Sequence, residues 1–245
     1  MIKYDDVLRT FYSTNINDQH YFSGFSTKAL GDARSTFNIQ NFFSQNNIGY
    51  KTLVTLEQIH SSNVAVFDKE SSEHVIKIEE TDGVITKVQQ IIIAVQTGDC
   101  IPIIFVHKKS GIMGISHQGW RGSLKRLQQK MVEKMAELGA DKSSVLVAIG
   151  PSINDCCYHI EEDRYYTFLE EFDGYSDKIF YLRGGKRYLN LPLLNFLLLK
   201  DVGIKSENID FFPFCTSCDK DRFFSYRRDK GKEYGEMVSF ILKNP

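Results

Sequence analysis

Residues 91–138, IIIAVQTGDCIPIIFVHKKSGIMGISHQGWRGSLKRLQQKMVEKMAEL, pass from one hydrophobic period to another. The first half holds three apolar, β-branched runs, Ile91 to Thr97, Ile103 to Val106 and Gly111 to His117, divided by short polar breaks, and such runs predict strands. The period then changes. From Ser123 to Leu138, apolar residues at Leu124, Leu127, Met131, Met135 and Leu138 keep three- and four-residue spacing, which predicts a helix with one apolar face and Gly139 as its stop.

Val64 to Phe67 and Gly83 to Thr86 carry the strand signature before this stretch, and Val145 to Ile149, Ile209 to Phe212 and Phe223 to Tyr226 carry it afterwards. Helices are predicted over Asp163 to Phe172 and Leu193 to Asp201, ending near Gly203, with a hairpin over Ile179 to Leu191 turning at Gly184-Gly185. Strand clusters interrupted by helices without a βαβ rhythm indicate an α+β (mixed α/β) fold. No Pro-, Ser- or Gly-rich linker and no short repeat divides the chain, so a single domain over residues 1–245 is expected.

The 245 residues include 30 Lys plus Arg and 31 Asp plus Glu, a net charge of −1, with 42% apolar and 25% charged residues. That is the composition of a soluble globular protein, and a chain of this length buries about 70 to 75% of its unfolded surface. Near-neutral charge without basic runs argues against nucleic acid as a partner, because phosphate backbones are bound by many Lys and Arg. The N-terminus, MIKYDDVLRTFYST, has charges where a signal peptide needs an apolar segment, so a cytoplasmic protein is expected. The longest apolar stretch, Leu191 to Leu199, is far below the roughly 20 residues of a membrane span and contains Pro192 and Asn195; it reads as a core helix, with no membrane role. Five Cys, two of them adjacent, do not suit a secreted disulfide framework, and reduced thiols are expected.

Three short segments concentrate the reactive groups: Gln58-Ile59-His60, Thr97-Gly98-Asp99-Cys100 and His117-Gln118-Gly119-Trp120-Arg121-Gly122. Two imidazoles and a thiolate around zinc, with the fourth position open to water, is a catalytic ligand count. Distant spacing alone leaves the structural reading open, in which the His residues are hydrogen-bonded surface groups and the Cys a small core residue. Asp99 is placed to shuttle a proton or to anchor the ligands from behind. Arg121, at a strand-to-helix turn with exposed amides, makes an anion site, or else pairs with a surface carboxylate while the glycines serve the turn. Arg227 and Arg228, after the alternating aromatics of Phe223 to Asp229, offer phosphate or ribose contacts; such aromatics also serve as ordinary core. Cys215-Thr-Ser-Cys218 is the single Cys-x-x-Cys and has no second pair at zinc-finger spacing, so Cys156, Cys157, Cys215 and Cys218 read as structural thiols. His20, His74, His107 and His159 read as ordinary residues.

The ordered series formed by these segments with Thr81-Asp82-Gly83-Val84-Ile85-Thr86, Thr97 to Pro102, Ile149-Gly150-Pro151-Ser152-Ile153 and Phe223 to Asp229 resembles the laccase-domain family. Its members have been named polyphenol oxidases, peptidoglycan editing factors and purine nucleoside phosphorylases. The resemblance runs from about Phe25 to the C-terminus, and it is faint over Phe25 to Asn38. It implies one four-layer α/β/β/α domain with mixed sheets, also likened to cysteine hydrolases and bacterial toxin deamidases. It places the family's metal ligands on His60, Cys100 and His117, with zinc as the ion and copper also proposed. It implies phosphorolysis of adenosine, inosine, guanosine and methylthioadenosine, together with adenosine deamination. Departures from the family pattern are Gly98 and Gln118 where Ala is usual, Ser61 where Gly is usual and Ser152 where Cys is usual. Gln118 is expected to set a bulky amide next to His117 and to alter substrate preference.

The resulting expectation is a monomeric zinc enzyme acting on purine nucleosides and phosphate. Asp99, Cys100 and His117 are its catalytic group, and Arg121, Arg227 and Arg228 bind phosphate. The first rival is a cysteine hydrolase or amidase editing peptidoglycan precursors, with Cys100 as nucleophile and His117 as base; a thiolate cannot be both tight zinc ligand and free nucleophile. A copper-dependent polyphenol oxidase is the second, although a multicopper enzyme needs His-x-His pairs and the six His here include none. A non-catalytic metal- or nucleoside-binding module is the third.

Overall fold

A computed structural model describes residues 1–230 and 234–244. Ile91–Thr97 shows how the layers arise: Ile91, Ile93 and Val95 enter one core, while Ile92 and Ala94 point to the opposite face and enter another. A strand buried on both faces has no polar side, which is why Ile91 to Val95 are all apolar. Ile101–His107 behaves the same way, with Ile104 and Val106 facing one core and Ile103 and Phe105 the other.

Two mixed sheets therefore stack face to face. The seven-stranded sheet runs, in spatial order, Ile2–Asp5, Thr10–Ser13, Tyr21–Ser26, Met237–Lys243, Ile91–Thr97, Thr52–Leu56 and Val75–Ile78. The six-stranded sheet runs Ile209–Phe211, Leu146–Ile149, Ile101–His107, Ile112–Gln118, Gly83–Thr86 and Val64–Phe67. Val54, Val95 and Ile241 of the first meet Val84, Ile104 and Ile115 of the second. On the outer face of the first sheet, Leu53, Ile92 and Phe240 pack against Ile39 and Phe43 of the helix Thr36–Gln45. On the outer face of the second, Ile103 and Phe105 pack against Met131 and Met135 of the helix Leu127–Glu137 and Leu194 and Leu198 of the helix Leu191–Asp201. The order is helix, sheet, sheet, helix, the α/β/β/α arrangement the resemblance implied. A small third sheet joins His159–Ile160, Lys186–Leu189 and Phe180–Arg183.

The helix Leu127–Glu137 lies close on its sheet because glycine stands beneath it. A Cβ at Gly83 or Gly114 would come within 2.7 Å and 2.9 Å of the Met131 side chain, distances ordinary packing does not permit. The predicted helix over Ser123 to Leu138 is in fact two, Trp120–Leu124 and Leu127–Glu137, broken where Arg126 takes φ +58°. Beyond the break, Leu127, Met131 and Met135 form the buried face. The predicted strand Phe223 to Tyr226 does not form. Phe223 is buried and Ser225 caps the short helix Tyr226–Asp229, its Oγ accepting from the Arg228 amide at 3.2 Å, so the backbone is committed to polar tethers instead of a ladder. The hairpin turns at Gly184-Gly185, both at positive φ as a primed turn requires. Leu191–Asp201 is a buried helix that begins with Pro192 in its first turn, and no described helix is long and apolar enough to cross a membrane.

Candidate functional site

The fold gathers His60, Cys100 and His117, with one ligand atom from each lying within 4.8 Å of the others. His117 sits near the end of Ile112–Gln118, opposite Pro102, and Cys100 immediately precedes Ile101–His107. His60 comes from the loop that follows Thr52–Leu56. The His60 and His117 rings meet edge to face at 4.8 Å, and Cys100 Sγ lies 3.9 Å from His60 Nε2.

Asp82, fully buried, organises the group. Its carboxylate accepts from His117 Nδ1 at 2.8 Å, from the His60 amide at 3.1 Å, and from the Ser61 amide and hydroxyl at 2.6 and 2.7 Å. A carboxylate can only accept, so His117 Nδ1 carries a proton, and Nε2 is the nitrogen left to face the cluster. His60 and Asp99 adopt φ +59° and +85°, a region costly for residues with side chains, and the bonds to Asp82 hold the first of them there. The Ser61 side chain thus adds a bond to Asp82 beyond the one its amide makes. Gly119 is needed for space: a Cβ there would meet His60 Cδ2 at 2.7 Å and Cys100 Sγ at 3.3 Å.

Burial pushes the Cys100 thiol up, but the charge and hydrogen bonds of His117 and His60 outweigh it and bring the thiol down from 9.0 to about 7. Burial likewise works against a charged His117, yet Cys100 and Asp82 raise it to about 10. Asp82 resists its own burial through the His117 and Ser61 bonds and stays below the usual carboxylate range.

The cluster opens into a cavity of about 870 Å³ that Arg121, Arg164 and Arg227 also line. The Arg121 and Arg164 guanidinia lie 4.4 and 4.3 Å from the Trp120 ring, and Arg164 Nε is buried without a hydrogen-bond partner. Arg227 is held by the His159 carbonyl at 3.0 Å and the Cys157 carbonyl at 3.3 Å. Arg228 corrects the sequence expectation. Its guanidinium is spent on Asp229 and on the carbonyls of Thr216, Ser217 and Phe223, and it does not line the cavity. Asp99 accepts from Thr216 Oγ1, Ser225 Oγ and the Arg227 amide, so it ties three segments together behind Cys100. Gln118 also departs from expectation: strand alternation turns it away from the cavity, where its Nε2 donates to Gln128 Oε1 at 3.2 Å.

Sequence reasoning passed over Asp82, Arg164 and Glu236. Asp82 stands inside the segment Thr81 to Thr86 that carries the resemblance but was given no role, and Arg164 lies on a helix that reads as surface. Glu236 lines the cavity, and burial raises its carboxyl above the ordinary value. Among the described residues His20, His74, His107 and His159 join no cluster of potential ligands, so no multinuclear copper site is assembled.

Two imidazole nitrogens and a sulfur, one imidazole fixed by a buried carboxylate, suit a single borderline-soft ion such as zinc or copper. Residues 17–244 match the family described as multi-copper polyphenol oxidoreductase laccase. The purine nucleoside phosphorylase YlmD of Bacillus subtilis is 28% identical, across 96% of this chain and 93% of its own. The adenosine deaminase RL5, from an unknown prokaryotic organism, is 32% identical across 80% of this chain and 76% of its own. The crystal structure of YlmD from Geobacillus stearothermophilus superposes with a TM-score of 0.82 at 25% identity, covering 96% of each chain.

Proposed function

The chain belongs to the multi-copper polyphenol oxidoreductase laccase family, and from that membership and its arginine-lined cavity we propose a purine nucleoside phosphorylase that binds zinc through His60, Cys100 and His117 and also deaminates adenosine. The observation that carries this reading is the meeting, in one cavity, of a three-ligand cluster with Arg121, Arg164 and Arg227. Phosphorolysis breaks the C1′–N9 bond of a nucleoside, joins a phosphate oxygen to C1′ and releases the purine, which needs a proton. The three arginines hold the phosphate against the sugar, with Trp120 fixing two of the guanidinia. Glu236 lines the cavity and burial raises its carboxyl above the ordinary value, so it is the acid proposed to give the proton to the leaving purine. In deamination water adds at C6 and ammonia leaves, and Glu236 relays the proton. Zinc, when bound, supplies Lewis acidity and a water of lowered pKa. Adenosine, inosine, guanosine and methylthioadenosine are the substrates proposed, and one domain acting as a cytoplasmic monomer, without nucleic-acid or membrane partners, completes the proposal.

One observation favours a second reading. Cys100, His117 and Asp82 stand in the order of nucleophile, base and orienting carboxylate, as in a cysteine hydrolase. Incubating zinc-loaded protein with adenosine, with and without phosphate, and separating adenine from inosine decides between them. The proposal expects adenine only with phosphate and inosine in both; neither product, with Cys100 alkylated by iodoacetamide at an undiminished rate in zinc, replaces it with the hydrolase.

A further inference from the structure

Outside the cavity, Cys156, Cys157, Cys215 and Cys218 converge so that all four sulfurs lie within 4.8 Å of one another. The Cys157 and Cys218 sulfurs are 3.3 Å apart and those of Cys156 and Cys218 3.5 Å, and none is joined in a disulfide. We propose that these four cysteines bind a second, structural zinc ion, independent of the ion at His60, Cys100 and His117.

Sulfur geometry is the first argument. Zinc–sulfur bonds of about 2.3 Å at tetrahedral angles set sulfurs about 3.8 Å apart, inside the range found here, and four thiolates is a closed structural ligand set. Exposure is the second. Free cysteine is among the most buried of residue types, yet Cys156 and Cys218 are exposed, and exposed thiols not held by a metal or disulfide are open to oxidation. The backbone is the third argument: the Asn154 amide points at Cys215 Sγ at 3.4 Å, the kind of donor that supports a metal-bound thiolate. The paired bridge between Ser152 and Cys215 brings the two segments together without any contribution from the sulfurs.

The clamp has a position that gives it work. The Thr216 hydroxyl, between the two downstream cysteines, donates to Asp99 at 2.7 Å, and the Ile153 amide donates to the Asp99 carbonyl at 3.0 Å. The Cys157 carbonyl accepts from Arg227. A metal joining these segments fixes the turn that carries Cys100 and one of the cavity arginines. The spacing rule could not expose it, because one pair is adjacent in sequence and the other is Cys-x-x-Cys, and only the fold unites them.

The test is zinc content by elemental mass spectrometry, after incubation with zinc chloride in a non-thiol reductant and gel filtration. The His60→Ala/His117→Ala protein, stripped of the cavity ligands, is expected to keep about one zinc per chain, and wild type about two. Cobalt(II) put into the same variant should give intense sulfur-to-cobalt charge-transfer absorption with tetrahedral ligand-field bands, a signature that requires no substitution of the cysteines. Cys218→Ser should lower the zinc content of the double-histidine protein by at least about tenfold at matched free zinc. Zinc-free double-histidine protein, a cobalt spectrum without thiolate bands, or a peptide map of unreduced protein linking Cys218 to Cys156 or Cys157 each overturns the proposal. Because the site is read out without nucleoside turnover, its failure leaves the phosphorylase reading untouched.

Discussion

Asp82 and His117 are joined twice: the His117 amide donates to the Asp82 carbonyl at 2.8 Å, and His117 Nδ1 donates to the Asp82 carboxylate at 2.8 Å. The strand that brings His117 to the cavity is thus registered against the residue that sets its tautomer. Asp82→Asn keeps the volume and gives up the charge, and it is expected to weaken zinc binding about 10- to 100-fold, measured by competition with a chromogenic chelator. An unchanged affinity would show that Asp82 has no part in holding the metal.

Two glycines beside the cluster are predicted to respond differently. Gly119→Ala drives a methyl into His60 Cδ2 at 2.7 Å and is expected to cost about 100-fold in turnover through displaced ligands. Gly98→Ala, whose nearest neighbour would be the Gly235 carbonyl at 3.5 Å, is an ordinary contact and should leave turnover within about twofold. Steady-state rates on the two variants make the comparison.

The arginines separate by environment. Arg121→Ala should raise the KM for phosphate with folding intact, since its guanidinium rests on Trp120 at the surface of the cavity. Arg228→Ala should instead lower stability by about 2 kcal/mol in urea unfolding, because it strips three carbonyls and Asp229 of their donor.

Metal-free protein should reveal the Cys100–His117 pair through pH. A thiol brought down from 9.0 to about 7 is anionic above that pH, and a His117 raised to about 10 keeps its proton across the same interval. Iodoacetamide labelling of Cys100 should therefore climb as pH rises through about 7 and level off well before pH 9, and zinc should suppress it. A midpoint near 9 would mean that His117 exerts no such influence.

Much of this arrangement is legible in the sequence. Val64–Phe67, Gly83–Thr86 and Ile91–Thr97 form strands with the predicted bounds, because β-branched runs between polar breaks leave little choice. The helix break at Arg126 was not legible: the apolar spacing continues through it, and only the positive φ interrupts the ladder. Phe223 to Tyr226 alternates like a strand but is claimed by a long-range bond to Asp99 and by a local cap on the Arg228 amide, neither of which periodicity encodes. Local motifs pointed to His60, Cys100 and His117, which the fold brings together. Arg228 looked equivalent to Arg227 because the two are neighbours, and only their partners in space distinguish them.

Phosphate-dependent cleavage of nucleosides in the cavity that holds His60, Cys100 and His117 can be followed by phosphorus NMR of zinc-loaded protein with adenosine and inorganic phosphate. The inorganic phosphate resonance should convert to a sugar 1-phosphate resonance, matched by adenine release and lost in His117→Ala. An unchanged phosphate resonance in protein that carries zinc at the cavity ligands would contradict it.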